Sequence, residues 1–414
     1  MNTINFCTLF DLRYSSRGLA LYKSLERHCK DFHLFALAMD DAASALLASL
    51  SPSNMTVISL AEFENAELSQ AKATRTWQEY CWTCTPALLR FCINSHGLTN
   101  CTYLDADIFF FDDPRIILDQ LPREKTVLIT PHHYAKEYDQ SATSGIFCVQ
   151  FVTFKNESRA LNVLEKWYNQ CIEWCYARFE DGKFGDQKYL DSWPQEYDCV
   201  EVSDHFGVGA APWNIKKYDV ADVNGEIALR SIETKQTLPL FFYHFHDLYF
   251  NERGAWYHKS GNTGYQIAED AYTFIYAHYL RQLRALGREL GFPAGIDFPR
   301  LPGHLSVSDF ETIIVPRTKS LGDKVMLRES YIFAGKIYEA IALAPDKRDQ
   351  LFELLIAAQY NLSSATLWET PENRPYQSIR QMRTRLQKLE DNALVKILLK
   401  LRNVYIRLRR SYYA

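Results

Sequence analysis

Five residues at the end of an apolar run, Tyr103-Leu104-Asp105-Ala106-Asp107, carry the strongest chemical signal in the sequence. Side chains alternate along a strand, so Asp105 and Asp107 leave it on the same side, one residue apart. Two carboxylates so placed reach one hard divalent cation or its water shell, and such a cation neutralises a diphosphate leaving group. A second strand end falls at His244-Phe245-His246, after an apolar run that starts near Thr237. Imidazole beside carboxylates suits Mn²⁺ better than Ca²⁺. Asp186 and Gln187 stand ahead of a short helix and pair a carboxylate with a neutral amide, a combination that holds sugar hydroxyls. Asp186 also suits the N-cap of that helix.

These groups need a frame that brings them together. Residues 4–10 read as a buried strand, followed by Leu19, Tyr22 and Leu25 at helical spacing. Residues 32–39 form another apolar run; Asp40 and Asp41 then offer N-caps to a helix, and 57–60 reads as a short strand. Such alternation marks βαβ units and a mostly parallel sheet. A helical stretch over 85–93 leads into the Asp-x-Asp strand, whose carboxyl end is where open α/β sheets bind ligands. Strands follow over 126–130 and 145–154, then helices over 157–179 and 265–290. Residues 291–309 hold three prolines and three glycines, the composition of a linker, and the chain from about Lys324 reads as helical. The expected organisation is a domain over 1–288, a linker over 289–323 and a helical region over 324–414.

Composition excludes several classes. The 414 residues are 47% hydrophobic and 23% charged, which describes a folded chain and not a disordered one. Ten cysteines without a regular framework point to a reducing compartment, and Cys81-x-x-Cys84, ahead of a helix, reads as structural. The first residues carry no secretory signature, no apolar run is long enough to span a bilayer, and the sequons at Asn54, Asn100, Asn156 and Asn361 read as chance matches. Residues 376–414 hold ten basic and two acidic residues, a net of +8; the whole chain carries −4, so residues 1–375 carry −12. An acidic body is a poor partner for nucleic acid. The basic amphipathic tail suits an anionic membrane surface, a partner helix or a solvated face.

In order along the chain, Thr8, Asp11 and Tyr14 after the first strand, TPALLRFC with Arg90, YLDADIFFF, TSGIFCVQF, FGDQKYLDSWP, APWN and FYHFHDL resemble the nucleotide-sugar glycosyltransferases of GT-A fold, most nearly family eight. The resemblance covers about residues 1–260. It implies an α/β, Rossmann-like GT-A domain with a mostly parallel sheet, and transfer of a sugar from a nucleoside diphosphate donor, UDP-sugar favoured, to a hydroxyl of a glycan or lipid-linked glycan. By the same resemblance Asp105, Asp107 and His244 hold Mn²⁺ or Mg²⁺, with His246 as the fallback ligand. Thr8, Asp11, Tyr14, Arg90, Ser144, Gly145, Arg253 and Lys259 contact the donor, and Asp186 with Gln187 faces its sugar. Trp213 and Asn214 shape the acceptor side. Two positions depart from the family pattern: Thr143 replaces an Asn, and Asp247 replaces a Gly. The implied setting is cytoplasmic, on the inner face of the membrane, in bacterial surface polysaccharide or lipopolysaccharide assembly. Two alternatives remain: a non-catalytic GT-A-like scaffold or glycan binder, and a haloacid-dehalogenase-type phosphatase, whose nucleophile motif is also Asp-x-Asp.

Overall fold

A computed structural model describes residues 3–203, 205–223, 225–250, 256–258, 265, 267–289, 312–316, 326–333 and 336–342. The chain divides into two compact units, Met1–Leu248 with Tyr265–Leu301, and Tyr249–Gly264 with Pro302–Ala414.

The first unit opens as the sequence pattern requires. β1 (Ile4–Phe10), α1 (Ser15–His28), β2 (Phe32–Ala38), α2 (Asp41–Leu50) and β3 (Met55–Ser59) alternate, and the three strands pair in parallel. Asp40 is the expected cap: its Oδ1 accepts from the Ala43 N–H at 2.7 Å, satisfying a donor that the first helical turn leaves open. Short α3 (Leu60–Phe63) and α4 (Ala66–Lys72) lead to α5 (Trp77–Ser95), which starts eight residues before the stretch read from periodicity. A capping box between Thr76 and Glu79 fixes that start. β4 (Asn100–Leu104) lies parallel to β1, and β5 (Ile108–Phe110) follows after a three-residue turn.

After α6 (Arg115–Leu118), β6 (Val127–Pro131) and β7 (Phe147–Lys155) form an antiparallel pair, and β7 also runs antiparallel to β4. α7 (Ser158–Glu173) stops six residues short of the expected end because Trp174 turns extended there. α8 (Trp193–Glu196) precedes β8 (Val200–Val202), which lies parallel to β6. The central sheet therefore has seven strands in the order β3-β2-β1-β4-β7-β6-β8. It is mixed and mostly parallel, as expected, with β7 reversed.

Alternation on these strands feeds two cores. Cys7, Tyr103, Val152 and Phe154 pack on one face with Leu88, Leu89 and Trp167 from α5 and α7. Phe6, Leu104 and Phe151 pack on the other with Leu21 and Leu25 from α1. Burial on both faces explains why the strands read as continuous apolar runs.

A three-stranded antiparallel sheet, β9 (Tyr218–Val223), β10 (Glu226–Ser231) and β11 (Thr237–Pro239), comes next. β12 (Phe242–His244) then pairs with β5, and β13 (Leu248–Phe250) with β14 (Trp256–His258). The helix read over 265–290 is α9 (Glu269–Ala271), a π turn over Tyr272–Tyr276, and α10 (Ala277–Glu289). No helix among the described residues is long and apolar enough to cross a membrane.

The region expected to be helical from Lys324 departs from that reading. β15 (Thr312–Pro316), β16 (Met326–Phe333) and β17 (Lys336–Ala342) form an antiparallel sheet in the order β15-β17-β16. Tyr331, Ile332, Phe333, Ile337, Tyr338 and Ile341 are β-branched or aromatic, which favours a pleated strand over a helix. Most of the 289–323 linker and the whole basic tail over 376–414 lie outside the described residues.

Candidate active site at the end of β4

The backbone fixes the Asp-x-Asp turn from three sides. Ile108 N–H donates to the Asp105 carbonyl at 3.3 Å, closing the turn, and Asp105 N–H donates to the Gln150 carbonyl on β7 at 3.1 Å. Phe245 N–H donates to the Asp107 carbonyl at 2.8 Å. The antiparallel register of β12 on β5 sets His244 opposite Ile108, one residue past Asp107. A residue about 140 positions downstream is thereby delivered to the two aspartates.

Side chains complete the cluster. His244 Nε2 lies 3.1 Å from Asp107 Oδ1 and 3.8 Å from Asp105 Oδ2. Its Nδ1 faces the Gln150 amide oxygen at 2.8 Å, so Nδ1 is the donor and Nε2 is turned to the carboxylates. Gln150 is fully buried, and its own Nε2 has no hydrogen-bond partner. Gly209 passes close by with φ +87°, and a Cβ there would lie 2.4 Å from Gln150 Nε2. Only glycine fits both the backbone conformation and the space.

The site is electrostatically unbalanced. Burial pushes the Asp105 carboxyl up to about 6, with Asp107 adding to the rise and His244 opposing it. Burial would raise Asp107 too, but the charge and hydrogen bond of His244 outweigh it and hold the group at about 2. Burial disfavours the His244 imidazolium, yet the two aspartates lift it well above the ordinary range. Asp186, 5% exposed, is pushed up to about 8 by burial and by Asp105; hydrogen bonds from Thr85 and the backbone pull the other way. Two carboxylates thus converge on one imidazole, with Asp186 feeling the charge of Asp105, and a divalent cation would replace the imidazole proton.

The donor atoms that all lie within 4.8 Å of one another belong to Asp105, Cys148 and His244. Asp107 approaches His244 but is outside that mutual set. His246 packs beside His244 with ring centroids 5.8 Å apart and is itself exposed. This set of carboxylate, thiol and imidazole donors fits a divalent cation.

Other expected residues take varied places. Thr8 is fully buried on β1, with an Oγ1 that has no partner. Tyr14 lies under the Arg17 guanidinium, 4.3 Å from its ring centroid. Asp11, expected at the nucleotide, spends its carboxylate on the fold: it accepts from Tyr14 N–H at 3.1 Å, Arg13 Nε at 3.0 Å and Trp77 Nε1 at 2.9 Å. Arg90, also expected at the donor, is paired with Glu165 at 2.8 Å and stacks over Tyr168.

Gln187 Nε2 donates to the Ser144 carbonyl at 2.7 Å, tying the Asp186-Gln187 loop to the Ser144-Gly145 turn. Gly145 has φ +113°, a conformation that L side chains rarely adopt. Asp186 does not cap the following 3₁₀ helix, whose N-cap is Gln187 without a side-chain bond. Trp213 stands edge-on to His244, 5.2 Å between centroids, and its Nε1 donates to the His132 carbonyl at 2.9 Å. Asn214 is consumed by the fold, donating to the carbonyls of His132 and Gly209. Asp247 has φ +63°, the left-handed region in which glycine is at ease and Asp is tolerated. Arg253 and Lys259 lie outside the described residues.

Three contributors escaped the sequence reading. Gln150 and Cys148 sit two apart on β7, and a glutamine inside an apolar strand was the available signal. Arg17 is 1% exposed and its Nη2 donates to the Leu248 carbonyl at 2.7 Å, bracing the segment after the histidines. Cys81 and Cys84 are free thiols on α5 that burial pushes up, Cys81 to about 12.

A mostly parallel α/β sheet with a carboxylate–imidazole cluster at its strand ends defines the class. No family model matches the chain. It is 32% identical over 252 residues to the uncharacterized protein YfnD of Bacillus subtilis strain 168, spanning 59% of this chain and 78% of YfnD, and it belongs to the same family. The uncharacterized YfnF of that strain is 29% identical over 306 residues, 71% of this chain and 99% of YfnF.

Among solved structures, the galactosyltransferase LgtC with donor and acceptor sugar analogs matches with TM-score 0.39 and 14% identity, over 59% of this chain and 87% of LgtC. Mouse xyloside xylosyltransferase 1 matches with TM-score 0.33 and 14% identity, over 49% of this chain and 85% of that one. The bifunctional glycosyltransferase WbbM matches with TM-score 0.33 and 15% identity, over 49% of this chain and only 39% of WbbM.

Proposed function

We propose that the protein is a metal-dependent glycosyltransferase of GT-A type that moves a sugar from a nucleoside diphosphate sugar, UDP-sugar favoured, to a hydroxyl acceptor. The observation that carries this reading is the pairing of β12 with β5, which sets His244 against Asp105 and Asp107 with its Nδ1 fixed by Gln150. Asp105, Asp107 and His244 would hold Mn²⁺ or Mg²⁺, which when bound supplies charge neutralisation at the leaving diphosphate.

The remaining steps belong to side chains. Asp186, neutral at pH 7 by its raised pKa, donates a hydrogen bond to a sugar hydroxyl. Gln187, held through its amide nitrogen by Ser144, presents its oxygen to the donor sugar. The unpartnered Thr8 hydroxyl and the Tyr14 ring receive the nucleoside, and Asp11 holds their loop in place. Ser144 and Gly145 shape the turn beside the sugar, Arg253 and Lys259 clamp the diphosphate, and Trp213 with Asn214 walls the acceptor side. The acceptor is a glycan or lipid-linked glycan of bacterial surface polysaccharide or lipopolysaccharide. The protein works in the cytoplasm, with the basic 376–414 segment docking on anionic lipid.

Release of nucleoside diphosphate from a panel of nucleotide sugars, with Mn²⁺ and with chelator, tests the reading. Metal-dependent release from one donor, lost in Asp107→Asn, is expected. Hydrolysis of a generic phosphate ester without nucleotide turnover would support the phosphatase instead, and donor binding without any turnover would support the scaffold.

A further inference from the structure

Cys148 lies on β7 two residues before Gln150, on the same face of the strand, and is 4% exposed. Its Sγ, a carboxylate oxygen of Asp105 and a ring nitrogen of His244 are all within 4.8 Å of one another. Donors of one cation at about 2.0–2.3 Å sit roughly 3–4 Å apart, so shifts of about an ångström close this set. Resting on the metal-centre reading above, we infer that Cys148 is a sulfur donor of that centre, which therefore takes thiophilic divalent cations such as Zn²⁺, Co²⁺ and Cd²⁺ through one metal–sulfur bond.

The chemistry follows from donor softness. Carboxylates alone suit Mg²⁺ and Mn²⁺, imidazole tolerates most first-row cations, and a thiolate shifts preference to Zn²⁺, Co²⁺ and Cd²⁺. The bond forms as the thiol proton passes to solvent, with no change of oxidation state. Gln150, by holding His244 Nδ1, keeps the imidazole fixed beside this sulfur. The other mutual cluster among the described residues, Cys7, Cys92 and Cys101, is fully buried in the core between the sheet and α5 and offers neither carboxylate nor imidazole.

Titration of the full-length chain with Co²⁺, followed by absorption, reads the sulfur directly. The wild type should show cobalt d–d bands together with a sulfur-to-cobalt charge-transfer band. Cys148→Ser should lose the charge-transfer band, keep d–d bands, and bind Co²⁺ at least about tenfold more weakly while Mn²⁺ affinity moves less. Cys148→Ala, checked for folding by circular dichroism, should behave alike.

Co²⁺ binding without charge transfer in the wild type would overturn the sulfur assignment and leave the metal centre standing. A charge-transfer band that survives Cys148→Ser and disappears in Cys92→Ser would place the sulfur donor in the core cluster and overturn the assignment to Cys148. Absence of any Co²⁺ or Mn²⁺ binding that Asp107→Asn alters would remove the metal centre and the sulfur donor together.

Discussion

The turns that follow β1 and β4 are neighbours in the sheet and look alike in sequence, yet they use their carboxylates in opposite ways. Asp11 meets a backbone amide, a guanidinium and an indole, each of which donates to it, so its charge is spent on holding the loop. Asp105 and Asp107 meet each other and an imidazole instead, and their pKa values are driven apart to about 6 and about 2. A carboxylate with its donors already in place stabilises a fold. Carboxylates crowded together in a half-buried turn, with only an imidazole to answer them, are instead pushed in opposite directions.

The sharpest way to break that comparison is to remove one charge from each turn. Asp107→Asn should lower turnover by at least about 100-fold while keeping the circular dichroism of the wild type, since it removes a ligand and no core volume. Wild-type turnover in that variant would sink the metal assignment. Next in size, Gln150→Met should keep the fold and weaken Mn²⁺ binding by about 10–100-fold, because the imidazole loses the partner that orients it. Unchanged affinity by calorimetric titration would show that the orientation is set elsewhere.

Asp11→Ala should act on stability, costing about 0.5–2 kcal/mol through the lost cap, while turnover per folded molecule stays near wild type. A turnover loss as deep as that of Asp107→Asn, at unchanged stability, would return Asp11 to the nucleotide. Asp186 gives a pH signature. Its folded value of about 8 is above the usual 3.8, so the stability it contributes is full below about pH 4 and is lost as pH rises through about 8. Asp186→Asn has no ionisation to suppress, and in chelator-treated protein its melting temperature should gain on the wild type from pH 4 to pH 8. An equal difference at both ends contradicts the raised pKa. Smallest of all, Arg90→Ala should cost only about 0.2–1 kcal/mol, the worth of a half-exposed ion pair with Glu165, and leave the Michaelis constant for donor unchanged.

The two turns also show how far sequence reading reaches. Strand periodicity marked β1, β2 and the Asp-x-Asp run, and Asp40 was legible as a cap, because each signal is local. What the Asp11 carboxylate meets was not legible, since Trp77 comes from far along the chain, and the His244 partner of Asp107 was reached through the family resemblance and not through local pattern. Gln150 and Cys148 were hidden for the same reason, as β7 reaches the site only through its antiparallel pairing with β4. The Gly-to-Asp departure at 247 falls where the backbone is left-handed, a conformation that Asp tolerates. Beyond Lys324, apolar residues that fit either period formed strands where a helix was expected.

Thermal unfolding with a panel of nucleoside diphosphates, each with and without Mn²⁺, tests the central claim most directly. At about 100 times its dissociation constant, a ligand that binds only the native state stabilises it by roughly 2.7 kcal/mol, a readily measured shift. One nucleotide, foremost UDP, is expected to stabilise only when Mn²⁺ is present, and Asp107→Asn should abolish the effect while Arg90→Ala keeps it. Stabilisation by no nucleotide, or by one that binds equally well without metal and in Asp107→Asn, would contradict the claim.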